Sequence, residues 1–243
     1  GGISMKALVL ASSALSASCE ETLKNLDFEP IRMPPYKRLQ DGVSSHPDML
    51  VFFMGDKYFC TREYYNEAKQ IFERINALGY SPVLCNEIPS ATYPNDIIFN
   101  ALPLGKLVFG LENSLSSTLK SEVLLEGKKI VNVKQGYTKC SVAKISESAI
   151  ITSDKGIAKA ASQYEIDALT VCEGHVLLDG YSTGFIGGAC GTFEDKVYFC
   201  GNLRGHPDCD KIEDFCKKHK KSCISLSNEP LFDVGSLFFL PKV

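Results

Sequence analysis

Three aspartates stand in turn-like positions ahead of apolar runs: Asp48 in HPDMLVF, Asp96 in YPNDIIF and Asp233 in LFDVGSLFFL. A carboxylate so placed either accepts backbone N–H groups and caps its own turn, or presents negative charge to a ligand. Acids that converge repel one another unless a cation joins them. Asp48, Asp96 and Asp233, with Asn95 beside the second, are therefore candidate substrate-binding residues for a small, cationic or amino-acid-like molecule. Lys139, in GYTKC, has two readings: an anchor for a substrate carboxylate, or a counter-charge to the acids. Among ten cysteines, Cys190 in GGACGTF is the candidate nucleophile, because a Gly-rich turn exposes N–H groups that lower a thiol pKa. The competing reading is a small inward-packed residue, and Cys140 carries the same pair of readings. His46, ahead of Pro47, is a candidate base or proton donor, set against an exposed turn histidine with no task.

These residues head units that recur. With Asp48, Asp96, Lys139, Gly188 and Asp233 taken as equivalent, the intervals are 48, 43, 49 and 45 residues. A spacing in the range of roughly 20–50 residues marks a solenoid, a propeller or a related array. Each head leads into an apolar strand, a short polar or Gly break and a second apolar strand, followed by a helix and a third strand. The spacing predicts hairpins over Met49 to Phe53 with Lys57 to Cys60, and over Ile97 to Asn100 with Lys106 to Phe109. A third covers Ser141 to Ile145 with Ala149 to Thr152. Apolar residues Tyr64, Ala68, Ile71, Phe72, Ile75 and Leu78 fall at helical spacing and predict one helix that stops at Gly79. Further helices are expected over Ser114 to Leu125, Lys155 to Tyr164 and Pro207 to His219. The chain opens with a strand over Lys6 to Leu10, a Ser-rich helix start and a strand over Phe28 to Met33. Its last unit stops after LFDVGSLFFL, so the two ends together supply a fifth unit. Such closure removes exposed sheet edges.

Length, at 243 residues, suffices for one sizeable core, and the even repeat favours a single domain over 1–243, with Gly1 to Ser4 a ragged start ahead of Met5. Hydrophobic residues at 44%, charged residues at 23% and a net charge of −3 give no basic stripe for a phosphate backbone. Nucleic acid is not an expected partner. No apolar run approaches the ~20 residues of a membrane span, so a cytoplasmic protein with reduced, buried cysteines is expected. Cys209, Cys216, His219 and Cys223 share one helical face, but so do Ile212 and Phe215, and a buried face is simpler than a metal site. GFIGG falls short of the dinucleotide fingerprint. No cofactor and no metal are expected. The two HPD triplets, at His46 and His206, are expected to open a strand and a helix respectively.

Five ββαβ units closed by the two termini resemble the pentein fold, the α/β propeller of the guanidine-modifying enzymes. The resemblance implies a substrate at a narrow central channel, with the head of each unit pointing side chains into it. It also implies a nucleophilic Cys in the final unit, a His in a middle unit and two acids on the guanidinium. Asp96 matches a family acidic turn and Asp48 is its equivalent one unit earlier. Tyr137 stands where the catalytic His is expected, and is a candidate proton donor. The final turn, Asp233 to Leu237, has no cysteine. Two functions follow: a divergent hydrolase or transferase acting on a small guanidino, amidino or amino-acid-like compound, or a non-catalytic binding module. The ribosome anti-association factor of archaea and eukaryotes uses the fold in the second way.

Overall fold

The computed structural model describes residues 5–243, so the expectation for Gly1 to Ser4 lies outside the described residues. The chain opens with β1 (Ala7–Ser12), α1 (Ala17–Asn25) and β2 (Phe28–Met33). A single-turn helix α2 (Pro47–Leu50) leads to β3 (Phe52–Met54), β4 (Lys57–Thr61), α3 (Arg62–Glu67), α4 (Lys69–Ala77) and β5 (Ser81–Cys85). Then come β6 (Leu102–Leu104), β7 (Leu107–Gly110), α5 (Ser117–Leu125) and β8 (Lys129–Asn132), followed by β9 (Val142–Ser146), β10 (Ala149–Thr152), α6 (Lys155–Ser162) and β11 (Asp167–Thr170). The chain ends with β12 (Cys190–Phe193), β13 (Lys196–Phe199), α7 (Cys209–Lys218), β14 (Ser222–Ser225) and β15 (Phe238–Leu240).

The strands form five three-stranded sheets on one plan. In each, a short strand pairs antiparallel with a central strand, and a third strand, reached through a helix, lies parallel on the other side. Gly55 and Gly105, both at positive φ, make the tight turns of the β3–β4 and β6–β7 hairpins, where Met54 pairs with Lys57 and Leu104 with Leu107. The fifth sheet has the order β15-β1-β2. Leu8, Val9 and Leu10 pair with Leu240, Phe239 and Phe238, so the two ends of the chain do complete one sheet together.

Period-2 geometry explains why the central strands are apolar throughout. On β4, Tyr58 and Cys60 pack with the β15-β1-β2 sheet, while Phe59 packs with the β6–β8 sheet. On β13, Val197 and Phe199 face the β9–β11 sheet, while Tyr198, with Cys200 just past the strand, faces β1. Alternate side chains of a strand point to opposite faces, and here both faces are covered. Five apolar clusters result, each joining two sheets, the last of them joining the β12–β14 sheet to β15-β1-β2. Every helix of eight or more residues contributes buried side chains to one cluster.

Three expectations change. The helix between β4 and β5 is two helices, because Ala68 turns out of helical geometry at φ −105° and ψ 28°. Hydrogen bonding carries across the break, from Ala68 N–H to Tyr64 O and from Ile71 N–H to Ala68 O. Ile97 to Asn100 is a turn, not a strand, closed by Asn100 N–H on Ile97 O at 3.0 Å. The first HPD opens helix α2 instead of a strand, with Pro47 in the first helical turn. No helix among the described residues is long and apolar enough to cross a membrane.

Phe72 is fully buried and stacks on Tyr58 at 5.4 Å between ring centroids. Phe72→Ala should cost about 3–5 kcal/mol, read as a lower urea midpoint at unchanged slope; a loss below 1 kcal/mol would show that α4 is not part of the cooperative core.

Candidate active site

The heads of the units do bring their polar residues together, and they bury them. Asp48, in the first turn of α2, is 0% exposed, Asp233 1%, His46 1% and Asp96 4%. Asp233 accepts from Phe185 N–H and Gly235 N–H, both at 2.9 Å. Its Oδ1 also lies 3.7 Å from His46 Nδ1. Burial, then the neighbouring Asp48 charge, pushes the Asp233 carboxyl well up, while burial pulls His46 down. Both shifts favour the neutral forms, as low dielectric demands. Two glycines make room for this pair. A Cβ on Gly188 would stand 1.9 Å from Asp233 Oδ1, and one on Gly235 2.1 Å from His46 Cβ.

Asp48 Oδ2 accepts from Ser236 Oγ at 2.7 Å, and Ser236 Oγ in turn accepts from Lys139 Nζ at 3.0 Å. The ammonium thus reaches the acid through a hydroxyl. Lys139 also lies over the Phe238 ring, 5.6 Å from its centroid. Asp96 Oδ2 accepts from the Tyr137 hydroxyl at 2.6 Å. Burial raises the Asp96 carboxyl, and burial followed by the Asp96 bond raises the Tyr137 hydroxyl. Asn100, fully buried, ties the heads together: its Nδ2 donates to Asp48 O at 3.1 Å and to Cys140 Sγ at 3.0 Å, and its Oδ1 accepts from Lys139 N–H at 2.8 Å. Among the described residues, His46 Nε2, Asp48 Oδ1 and Asp96 Oδ1 are buried with no hydrogen-bond partner.

Two candidate residues fall elsewhere. Asn95 is exposed on its turn, with only backbone bonds, from its N–H to Thr92 O and from Ser90 N–H to its O. Cys190 is buried, with its thiol pushed up to about 12 by burial. Its Gly-rich turn offers the sulfur no N–H; Sγ points at Gly187 O, 3.8 Å away. The thiol beside the acids is Cys140, raised by burial and then by Asp48 and Asp233. Asn100 and Ser236 carry no motif. A lone Asn closing IIFN, and a Ser after Gly in DVGS, were the available signals, and each is common in ordinary turns. His46 is buried and not an exposed turn residue. Cys209, Cys216 and Cys223 pack in one apolar cluster, while His219 Nε2 pairs with Asp167 Oδ2 at 2.7 Å.

A separate cavity of about 670 Å³ is lined by residues from β3, β6, β9, β12 and β15, one strand of every sheet. Its charged lining is Lys128, Lys139, Lys144 and Lys221 against Glu147 and Glu194. The acids Asp48, Asp96 and Asp233 are not part of that lining; Lys139 links the two regions.

Residues 10–238 match the model of a family described as a family of unknown function (DUF6873). The chain belongs to that family. No curated protein matches it significantly. Among solved structures, a DDAH from Pseudomonas aeruginosa complexed with citrulline has TM-score 0.56 at 11% identity, over 93% of each chain. Agmatine deiminase of C. jejuni with substrate bound has TM-score 0.57 at 9% identity, over 98% of this chain and 94% of that one. Inosamine-phosphate amidinotransferase from Streptomyces griseus has TM-score 0.57 at 10% identity with the same coverage. This DUF6873 member therefore has the pentein fold, and its structural neighbours are guanidino-modifying hydrolases and transferases.

The raised Asp96 carboxyl has a pH signature. An unfolded carboxyl titrates near 3.8, so between that pH and its higher native value the folded state holds a proton the unfolded state has released. Stability from this group falls as pH rises through that window. Asp96→Asn removes the fall, so the variant's urea midpoint should gain on the wild type from pH 4 to 7; a constant difference would show an ordinary carboxyl. Ser236→Ala strands Asp48 Oδ2 and the Lys139 ammonium and should cost about 1–3 kcal/mol in the same assay.

Proposed function

We propose that this chain is a divergent pentein that takes a small guanidino, amidino or amino-acid-like cation among Asp48, Asp96 and Asp233. The observation that carries the reading is the pair of buried, unpartnered acceptors Asp48 Oδ1 and Asp96 Oδ1, one on each of two successive heads. A guanidinium supplies paired N–H donors with a charge that carboxylates match. Its arrival would give donors to these acids and offset the Asp48 charge that, after burial, holds Asp233 up. Closure of the five sheets into a ring is part of the proposal. Its support is that the apolar clusters join the sheets in cyclic order and that one cavity draws a strand from each.

Within that site Cys140 replaces Cys190 as the candidate nucleophile. Its thiol is held protonated by burial and by Asp48 and Asp233. A bound cation reverses that balance, since an opposite charge nearby favours the thiolate. Neutral His46 would take the Cys140 proton as the thiolate attacks the central guanidinium carbon; His46, or Tyr137 in its place, would then give a proton to the departing amine, and water or an acceptor amine would displace the thiol from the adduct. Asn100 Nδ2, already donating to Sγ, holds the sulfur in place. A second reading, a binding module without chemistry, draws on the near-complete burial of the cluster. It also draws on Gln40, which accepts from Tyr181 Oη and donates to Ala91 O, both at 2.9 Å, and so ties three loops together.

The test adds arginine, agmatine and simple amidino compounds to the full chain and follows thermal stability, thiolate absorbance in the ultraviolet and amine release. The expected result is a stabilising ligand that raises thiolate absorbance in the wild type and in Cys190→Ala, with absorbance rise and amine release lost in Cys140→Ser. Stabilisation without either signal would establish the binding module. No stabilisation by any of these compounds would overturn the cation site itself.

A further inference from the structure

Away from the acid cluster, two short motifs meet where β11 hands the chain on and α7 begins. Cys172 and His175 lie two residues apart in CEGH, and His206 and Asp208 form an H-x-D pair in HPD. One donor atom each from Cys172, His206 and Asp208 lie within 4.8 Å of one another. The His175 ring stands edge-on to that of His206, 5.5 Å between centroids, which puts a further imidazole beside the group. The geometry points to a site for a borderline transition-metal ion such as Zn²⁺, held by Cys172, His206 and Asp208 with His175 as the fourth ligand.

Backbone contacts already set the donors in place. Cys172 N–H donates to Asp208 Oδ2 at 2.8 Å, which fastens the segment after β11 to the start of α7. Asp208 N–H donates to His206 Nδ1 at 3.0 Å, which places the proton of that buried ring on Nε2. A metal would take the Nδ1 lone pair in place of that bond and leave Nε2–H as the ring's donor. Asp208 Oδ1 meets a cation as the structure stands, Lys211 Nζ at 2.8 Å on a side chain that is 68% exposed. A divalent ion would take that charge-balancing role and release the lysine to solvent.

The donor types select the metal. One thiolate, two imidazoles and one carboxylate suit tetrahedral Zn²⁺ or Co²⁺, not Mg²⁺ or Ca²⁺, which call for an oxygen set. Zinc ligands at about 2.0–2.3 Å stand about 3.3–3.8 Å apart in a tetrahedron, so the donors must draw in by about an ångström. Cys172 and His175 are exposed, so no packed core resists that shift. On binding, the Cys172 thiol releases its proton to solvent and the S–metal bond forms, with no change in oxidation state.

The neighbouring group Cys209, Asp210 and Glu213 is the built-in control, because Arg204 already occupies both of its carboxylates. The probe is Co²⁺ titrated into the chelator-treated full chain. One equivalent is expected to give a sulfur-to-cobalt charge-transfer band that Zn²⁺ then displaces. The band should vanish in Cys172→Ser and persist in Cys209→Ser, while His175→Ala should weaken binding by about tenfold or more. Zn²⁺ should also protect Cys172 from alkylation, as read by mass spectrometry of the labelled chain. Absence of the band in a folded wild type, or a band that survives Cys172→Ser, would falsify the site.

Discussion

Pairing of the first strand with the last is the constraint on which the remaining structure depends. Leu8, Val9 and Leu10 find Leu240, Phe239 and Phe238 across nearly the full length of the chain. Val9 then packs with Tyr198 and Val234 on one side, while Leu8 and Leu10 pack with Met49, Tyr58 and Cys60 on the other. Such distant pairing is entropically costly before it is complete. The heads at Asp48 and Asp233, which belong to opposite ends of the sequence, can meet only once it has formed.

That meeting explains the cluster's composition. Asp48 N–H donates to Gly235 O, and Asp48 Oδ2 accepts from Ser236, so the first and last heads clasp one another through main chain and side chain. Gly188 and Gly235 are small because Asp233 and His46 fill the space a Cβ would need. Buried acids are costly unless their oxygens are bonded. Here backbone N–H groups, a hydroxyl and a phenol satisfy most of them, and one oxygen on each of Asp48 and Asp96 is left over. Charge differs between the two regions, with acids in the buried cluster and four lysines against two glutamates around the cavity, and Lys139 belongs to both.

A shared fold does not by itself carry a shared chemistry. The five-sheet plan persists at 9–12% identity to guanidino-modifying enzymes, because alternating apolar strands and two-residue hairpins are all the plan requires. The chemistry needs particular side chains at particular heads. The thiol that ends up beside Asp48 and Asp233, Cys140, comes from the third unit.

The sequence by itself determined the strand, strand, helix, strand order, the first hairpin's turn at Gly55 and the sharing of one sheet between the chain's two ends. Those rest on local periodicity and turn chemistry, which act within a few residues. It also picked out Asp48, Asp96, Asp233, Lys139, Tyr137 and His46 as head residues, because apolar strands follow them at even spacing. Tertiary structure alone decided which thiol joins the acids, that Asn95 stays on the surface, and that Asn100 and Ser236 knit the heads together. Whether a side chain turns inward at a head depends on one or two residues of turn register, as at Ile97 to Asn100, where a turn replaced the expected strand. Thiol basicity depends on neighbours brought from 40 to 100 residues away, such as Asp48 and Asp233 beside Cys140, and no local pattern records them.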